Sequence, residues 1–446
     1  MANQITTKSA EASFIDGIII TSNKSTTKTV DVSGGTIRLL YYESILNDTI
    51  KATVTFADTG NSVDNKTALE GLPIVGEENV TIKFRDNNEQ NLNLTLYVNK
   101  VTPLSDDTTK SMVQLDLSSK ESILNEKIRL NTKFTGKISD HIRDIFTNSN
   151  FLATEKEIDV EETIGEYNFI GNNWKACYAM NWLSKKAVSA ENQKLGVSAG
   201  YFFFETSEGF KFKSIDGLLS QEKKKSFIFN QTPDSGGDNI PAGYDAKVLD
   251  YAKDNRVDVQ EKLKMGAYST RTILFDPFNC YYEVITPNAK EEEEKLKLAG
   301  KELPKLNPEF DIPGRNKEFS RTQYMLVDKG SLPDGSTKQQ IQKSKKQNFD
   351  SKNILNQSSM RYNQLFASKC TITIVGDFSL HAGDVIFLDV PELAPETKNV
   401  SKENGGLYII ADLCHYISPK ETYTKLNLVR DSFGRTGNHT SGKSLK

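Results

Sequence analysis

The two ends of this chain repeat one another, and no other feature constrains its fold as tightly. The segment LYVNKVTPLSDDTTKSMVQLDL, from Leu96 to Leu117, aligns without a gap with LYIIADLCHYISPKETYTKLNL, from Leu407 to Leu428. In each, a Leu-Tyr pair precedes a Leu-x-Leu triplet at the same separation: Leu96-Tyr97 before Leu115 and Leu117, Leu407-Tyr408 before Leu426 and Leu428. Upstream, Gly76-Glu77 stands before the apolar alternation at 80–84 as Gly383-Asp384 stands before 385–388. Earlier still, Thr53-Val54-Thr55-Phe56 echoes Thr371-Ile372-Thr373-Ile374. Three strand units recurring in one order imply a duplicated unit. The expected fold class is α+β and β-rich: two similar small antiparallel β-barrels at the chain ends, with an α+β insertion between them.

Local patterning fills in the divisions. Ile50, Ala52, Val54 and Phe56 alternate with polar residues, as do Val80, Ile82 and Phe84, and then Leu92, Leu94, Leu96 and Val98 across a turn at 86–90. A period of two with a turn between is a hairpin, and Val113, Leu115 and Leu117 add a strand. Near Gly136 the period changes. Ile138, His141, Ile142, Ile145 and Phe146 share one helical face, and 174–187 reads as a helix apolar nearly all round, sandwiched between layers. Residues 201–204 and 210–215 form a hairpin. A loop is expected at 233–238, a short helix over 254–265, and strands over 269–275 and 280–285 joined by a turn at 276–279. The stretch 289–319, broken by Pro304, Pro308 and Pro313, reads as an extended charged arm, and 329–352 as a second polar stretch. A helix over 353–366 precedes strands over 371–375, 384–388, 407–411 and 423–429. The divisions are therefore 1–135 for the first barrel, 136–255 for the insertion, 256–352 for hairpin and arm, 353–435 for the second barrel and 436–446 for a polar tail.

A chain of 446 residues exceeds one ordinary core. Fifty-six basic residues against 59 acidic ones, a net charge of -3, do not suit a protein that grips nucleic acid through its backbone. No window offers the roughly 18 uncharged apolar residues of a membrane span, and the first residues lack a signal-peptide apolar region. Folding in a cytoplasm, without membrane anchoring, is expected. Cys177, Cys280, Cys370 and Cys414 show no C-x-x-C spacing and read as free thiols.

No catalytic, cofactor or metal site is expected from the residues. Cys177, in the first turn of its helix, is the one candidate nucleophile, with His381 or His415 as base and Asp384 or Asp412 as orienter. The apolar helix around it favours an inert thiol. His415 beside Cys414 lacks a second ligand pair, so a packed, hydrogen-bonded histidine is expected. His141 lies on a core face. His381 reads as an exposed turn residue or subunit contact. Gly34-Gly35 and Gly236-Gly237 lack a phosphate loop's context. The lysines at 223–225 and 343–346 and the acidic run at 291–294 read as salt bridges or solvated surface.

The segments Gly376-Asp-Phe-Ser-Leu-His-Ala-Gly-Asp384, Gly405-Gly-Leu-Tyr-Ile-Ile-Ala-Asp-Leu-Cys-His415 and Thr422-Tyr-Thr-Lys-Leu-Asn-Leu-Val-Arg430 resemble the end of phage tail hub proteins, including the late-control-protein-D family and the hub part of type VI secretion spike proteins. Most of the chain resembles the baseplate hub subunit of contractile-tailed, T-even-like cyanobacterial phages. Glu70-Gly-Leu-Pro-Ile-Val-Gly76, Tyr167-Asn-Phe-Ile-Gly-Asn-Asn173 and Gln260-Glu-Lys-Leu-Lys-Met-Gly-Ala-Tyr-Ser269 carry that likeness. The resemblance implies a structural, non-enzymatic virion protein, assembled in the host cytoplasm into the tail baseplate. It implies a homotrimer whose two barrel (tube) domains per chain make a pseudo-hexameric ring between the central spike and the tail tube protein or tube initiator. Surrounding baseplate proteins and the tape measure protein are further implied partners, and DNA passes through the channel without specific binding. No cofactor is implied. Asp377, Leu380, His381 and Asp384 are the candidate subunit or partner contacts. The alternatives are a tail-tip hub with cysteine-dependent cell-wall hydrolase activity and a type VI secretion spike hub.

Overall fold

A computed structural model of the chain describes residues 12–24, 28–107, 109–190, 199–229, 243–254, 259–267, 270–276, 281–286, 296–303, 309, 319–326, 336–339, 351–392 and 400–437. The loop at 233–238, the glycines and lysines at 236–237 and 343–346, the acidic run at 291–294, Cys280 and most of the arm, the second polar stretch and the tail lie outside the described residues.

The first β-unit comprises β1 (Phe14–Thr21), β2 (Thr29–Asp31), β3 (Thr36–Ser44), β4 (Lys51–Asp58), β5 (Asn79–Arg85), β6 (Asn91–Asp106) and β7 (Ser111–Ser118). They pair in the order β3-β4-β7-β6-β5-β1-β2, and a 3-10 turn, Ser33–Gly35, leads from β2 back into β3. The two ends of the order are thereby brought together around one core. Alternation decides which side chains fill it: Val80, Ile82 and Phe84 face Leu96, Leu94 and Leu92 across the β5–β6 hairpin, and all six are buried. The turn forms at 86–90 because the Asp86 carboxylate accepts from the Asn88 and Gln90 amides, each at 2.8 Å.

The insertion starts before the expected boundary at 135, since Leu130 and Phe134 lie in its core, and it carries α2 (Lys120–Lys127), α3 (Ile138–Thr147), α4 (Ala176–Ser184) and α5 (Ile215–Leu219), numbered after the single-turn α1 (Ala68–Gly71). Its strands are β8 (Lys133–Phe134), β9 (Ile158–Val160), β10 (Phe169–Ile170), β11 (Tyr201–Thr206) and β12 (Gly209–Ser214). Helix α3 buries the five-residue face read from its spacing. Helix α4 differs from expectation. Cys177, Met180 and Leu183 are buried, but Tyr178 is exposed and the Trp174 and Trp182 rings, 4.9 Å apart, are half-buried. The helix therefore covers one core and leaves its other side partly open.

The second β-unit draws on β13 (Lys225–Ile228), β14 (Ala246–Lys247), β15 (Asp250–Asp254), β19 (Ser368–Val375), β20 (Val385–Asp389), β21 (Gly406–Ile417) and β22 (Thr422–Arg430). Between them in sequence come α6 (Val259–Met265), α7 (Ser351–Leu365) and a separate three-stranded sheet of β16 (Thr270–Asp276), β17 (Tyr281–Ile285) and β18 (Arg321–Leu326). The expected start of this unit at 353 is too late. Strand β13 runs parallel beside β20, setting Phe227 against Leu388 in the core, and β15 pairs with β19, so residues 225–254 belong here and not to the insertion.

The repeat between the chain ends is a repeat of topology. Strands β4-β7-β6-β5 are neighbours in that order, and β19-β22-β21-β20 are neighbours in the same order. Val54 faces Leu115 as Ile372 faces Leu426, and Thr53 hydrogen-bonds Asp116 across the strands as Thr371 hydrogen-bonds Asn427. Both units carry a β-bulge at the same place, between Val98 and Lys100 in β6 and between Ile410 and Asp412 in β21. The gapless alignment needs one correction. Val98 pairs with Leu117 but Ile410 with Leu428, so Leu96 corresponds to Tyr408, not Leu407. Burial agrees: Tyr408 and Ile410 share the core of Leu96 and Val98, whereas Leu407 and Ile409 face the opposite side against α7 and the insertion. A period of two turns a one-residue slip into a change of face.

Candidate functional site

The two units are not separate. Strand β3 of the first pairs antiparallel with β21 of the second, from Ser44 opposite Asp412 to Leu39 opposite Ile417, joining both into one sheet. The stripe that β3 buries, Leu39 and Tyr41, ends on a charge, Glu43. That carboxylate is fully satisfied: it accepts from the Tyr41 hydroxyl at 2.7 Å and from the amides of Ser207 and Ala382 at 2.8 Å, with His381 Nδ1 at 3.3 Å. Ser207 is in the β11–β12 turn of the insertion and His381 in the loop before β20. One side chain thus ties first unit, second unit and insertion together.

All four candidate contact residues lie in that loop, and all four are buried in their own chain. Leu380 is in the shared core. Asp377 binds the Lys225 ammonium and the Ser379 hydroxyl, and Asp384 accepts from the His381 amide at 2.9 Å and pairs with Lys224 at 3.0 Å. His381 is not the exposed turn residue expected: it sits between Glu43 and Glu208, 3.3 Å from each. Within the subunit the charged members of the set are paired to Lys225, Lys224, Glu43 and Glu208. Polar composition read as solvent exposure, while each polar group had a partner too distant in sequence to see.

Burial disfavours the His381 imidazolium, but the carboxylates of Glu43 and Glu208 outweigh it and raise its pKa to about 9. Glu43 is likewise penalised by burial, yet the charge of His381 and its four donors bring it below the ordinary glutamate value. A histidine with a raised folded-state pKa stabilises the fold fully below its unfolded pKa of about 6.5 and loses that contribution as pH rises through the folded value. Between pH 6.5 and 9 the chain should therefore lose on the order of 3 kcal/mol of this stabilisation. His381→Gln should flatten that part of the profile, read as the urea midpoint at each pH. Equal slopes in both proteins would contradict the assignment.

The other suggestive residues are accounted for by packing. Burial pushes the Cys177 thiol well up, away from a nucleophile's range, and its amide is bound by Asn125 Oδ1 at 2.8 Å. His141 is buried between Phe134 and Phe169 and bonds the Tyr167 carbonyl at 2.7 Å. His415 stacks on Tyr41 and bonds Thr424 Oγ1 at 2.9 Å, and burial lowers its pKa to about 4. Among the described residues no group of three or more His, Cys, Asp or Glu is placed to hold a metal ion. In the three-stranded sheet the exposed apolar residues Phe275, Tyr282, Val284, Tyr324 and Leu326 share one side.

No family model matches the chain, and no curated protein matches it in sequence. Solved structures do match its fold. A 43 kDa tail protein of prophage MuSo2 from Shewanella oneidensis aligns with a TM-score of 0.50 at 10% identity, over 93% of this chain and 98% of that one. A tail protein from Neisseria meningitidis aligns at 0.51 and 9% identity, over 93% and 96%. A component of the E. coli type VI secretion system aligns at 0.44 and 8% identity, over 92% and 76%. The chain shares the fold of the first two across almost their whole length.

Proposed function

We propose that this chain is a structural baseplate hub protein of a contractile phage tail, and that three copies close into a ring with six barrel units. The observation that carries this reading is the pair of equivalent β-units already joined edge to edge through β3 and β21. A chain offering two equivalent units converts three-fold symmetry into near six-fold symmetry, so a three-fold spike below can meet a six-fold tube above. The tail-protein fold supports placing the ring in a virion tail. The role is geometric and non-enzymatic, and the buried, unactivated Cys177 supports that view over a cysteine hydrolase. Spike, tube or tube initiator, surrounding baseplate proteins and tape measure protein are the proposed partners. A net charge of -3 suits a channel that passes DNA without holding it.

The mass of the purified chain in solution, alone and with a spike protein, tests this. A species of three chain masses, stable to dilution in the spike's presence, is expected. A chain that stays monomeric and never binds a spike would overturn the reading.

A further inference from the structure

We propose that the outer edge of β6 beyond its bulge pairs antiparallel with the outer edge of β15 in a second copy of this chain, with Thr102 opposite Asp254 and Pro103 opposite Lys253. The inference rests on the ring reading above and names the edges that close it.

Strand by strand, the two units differ at their outer edges. In the second unit, the later half of β21 lies between β22 and β3, and its Leu413, His415 and Ile417 are each 1% exposed. Its counterpart in the first unit is the later half of β6: Thr102 pairs with Gln114 of β7 as Cys414 pairs with Lys425 of β22, and Pro103 with Val113 as His415 with Thr424. On its other side, β5 accompanies β6 only as far as Tyr97, opposite Asn79. Beyond the bulge no strand lies there among the described residues, and Pro103, Leu104 and Ser105 are exposed. The same strand at the same place is sealed in one unit and open in the other.

Strand β3 has a counterpart as well. It flanks β4 with Leu39 opposite Val54, Leu40 opposite Thr53 and Tyr41 opposite Ala52. In the second unit β15 flanks β19 in the same register, with Tyr251 opposite Ile372, Ala252 opposite Thr371 and Lys253 opposite Cys370. The far edge of β3 is filled by β21, whereas the far edge of β15 has no strand partner among the described residues. Ala252 and Lys253 are exposed.

One unit therefore lacks a β3-like partner, and the other lacks a β21-like partner. Within one chain these two edge types already pair, Cys414 opposite Tyr42 and His415 opposite Tyr41. Carrying that register across gives Thr102 opposite Asp254 and Pro103 opposite Lys253. The contact is head-to-tail, using different surfaces on the two copies, so repetition closes a ring or runs on. Pro103 supplies no N–H, so this junction has fewer donors than the one inside the chain. That difference suits a contact made on assembly, and open edges of this kind otherwise invite nonspecific pairing.

Cysteine cross-linking of the full chain tests the register. In the double variant T102C/D254C the two new thiols sit opposite each other on one face, at the spacing of directly paired strand residues. Mild copper-phenanthroline oxidation should give covalent dimers and trimers on a non-reducing gel. T102C alone and D254C alone should match the unsubstituted chain. The variant T102C/K253C, which sets its thiols on opposite faces, should link at least tenfold more slowly. The mass of each variant is measured before oxidation. A trimer that does not link in T102C/D254C would overturn the assigned edges and leave the ring standing. Linking in either single variant would overturn the head-to-tail pairing. If the double variant and the unsubstituted chain both stay monomeric, with and without a spike protein, the ring and the edges are overturned together.

Discussion

Arg361→Ala is expected to cost about 3–5 kcal/mol, the usual result of stripping one partner from a buried ion pair. Arg361 projects from α7 and is 1% exposed. Its guanidinium holds Asp431 at 2.5 Å and Asp216 at 2.8 Å and donates to the Lys297 carbonyl. Those partners come from the end of β22, from α5 of the insertion and from the segment at 296–303. Asp431 in turn accepts from the Ala299 amide at 3.0 Å and the Ser432 hydroxyl at 2.6 Å. Without the cation, two buried carboxylates face each other unneutralised. Urea unfolding at pH 7 checks this, and a cost under about 1 kcal/mol would contradict the role given to this network.

A second large effect follows from the duplication. Leu115→Ala and Leu426→Ala each empty a fully buried leucine site and should each cost about 2–5 kcal/mol. Because the two leucines hold the same position, opposite Val54 and Ile372, the costs should agree closely. The double variant should lose their sum within about 0.5 kcal/mol, as expected for sites out of contact. Calorimetry and urea titration both measure this. A second substitution that costs nothing once the first is made would mean that one unit unfolds without the other.

Much of the β-structure was legible because burial on one face leaves a period of two, as at Ile82 and Leu94. The duplication was legible for the same reason. Its exact register was not, because β6 has a second bulge, between Pro103 and Ser105, that β21 lacks, and that one extra residue shifts the face without changing composition. Strand β3 was missed. Its buried stripe runs Leu39, Tyr41, Glu43, and a glutamate reads as solvent until Tyr41, Ser207, Ala382 and His381 are seen around it. The loop from Gly376 to Asp384 was misjudged in the same way. Lysines at 224 and 225 and glutamates at 43 and 208 neutralise it, and their pairing depends on contacts far apart in sequence.

The β3–β21 seam also has a consequence in time. Ser44 and Asp412, hydrogen-bonded at 2.5 Å across it, are 368 residues apart in sequence. At about 5–20 residues per second of synthesis, the amino-terminal unit waits roughly 20–70 s for the strand that covers its edge. During that interval β3 of one nascent chain is a ready template for β21 of another, finished earlier on the same messenger. Production of this protein is thus a race between self-closure and exchange with a neighbour, and slower translation or crowded polysomes should tilt it toward strand-swapped chains.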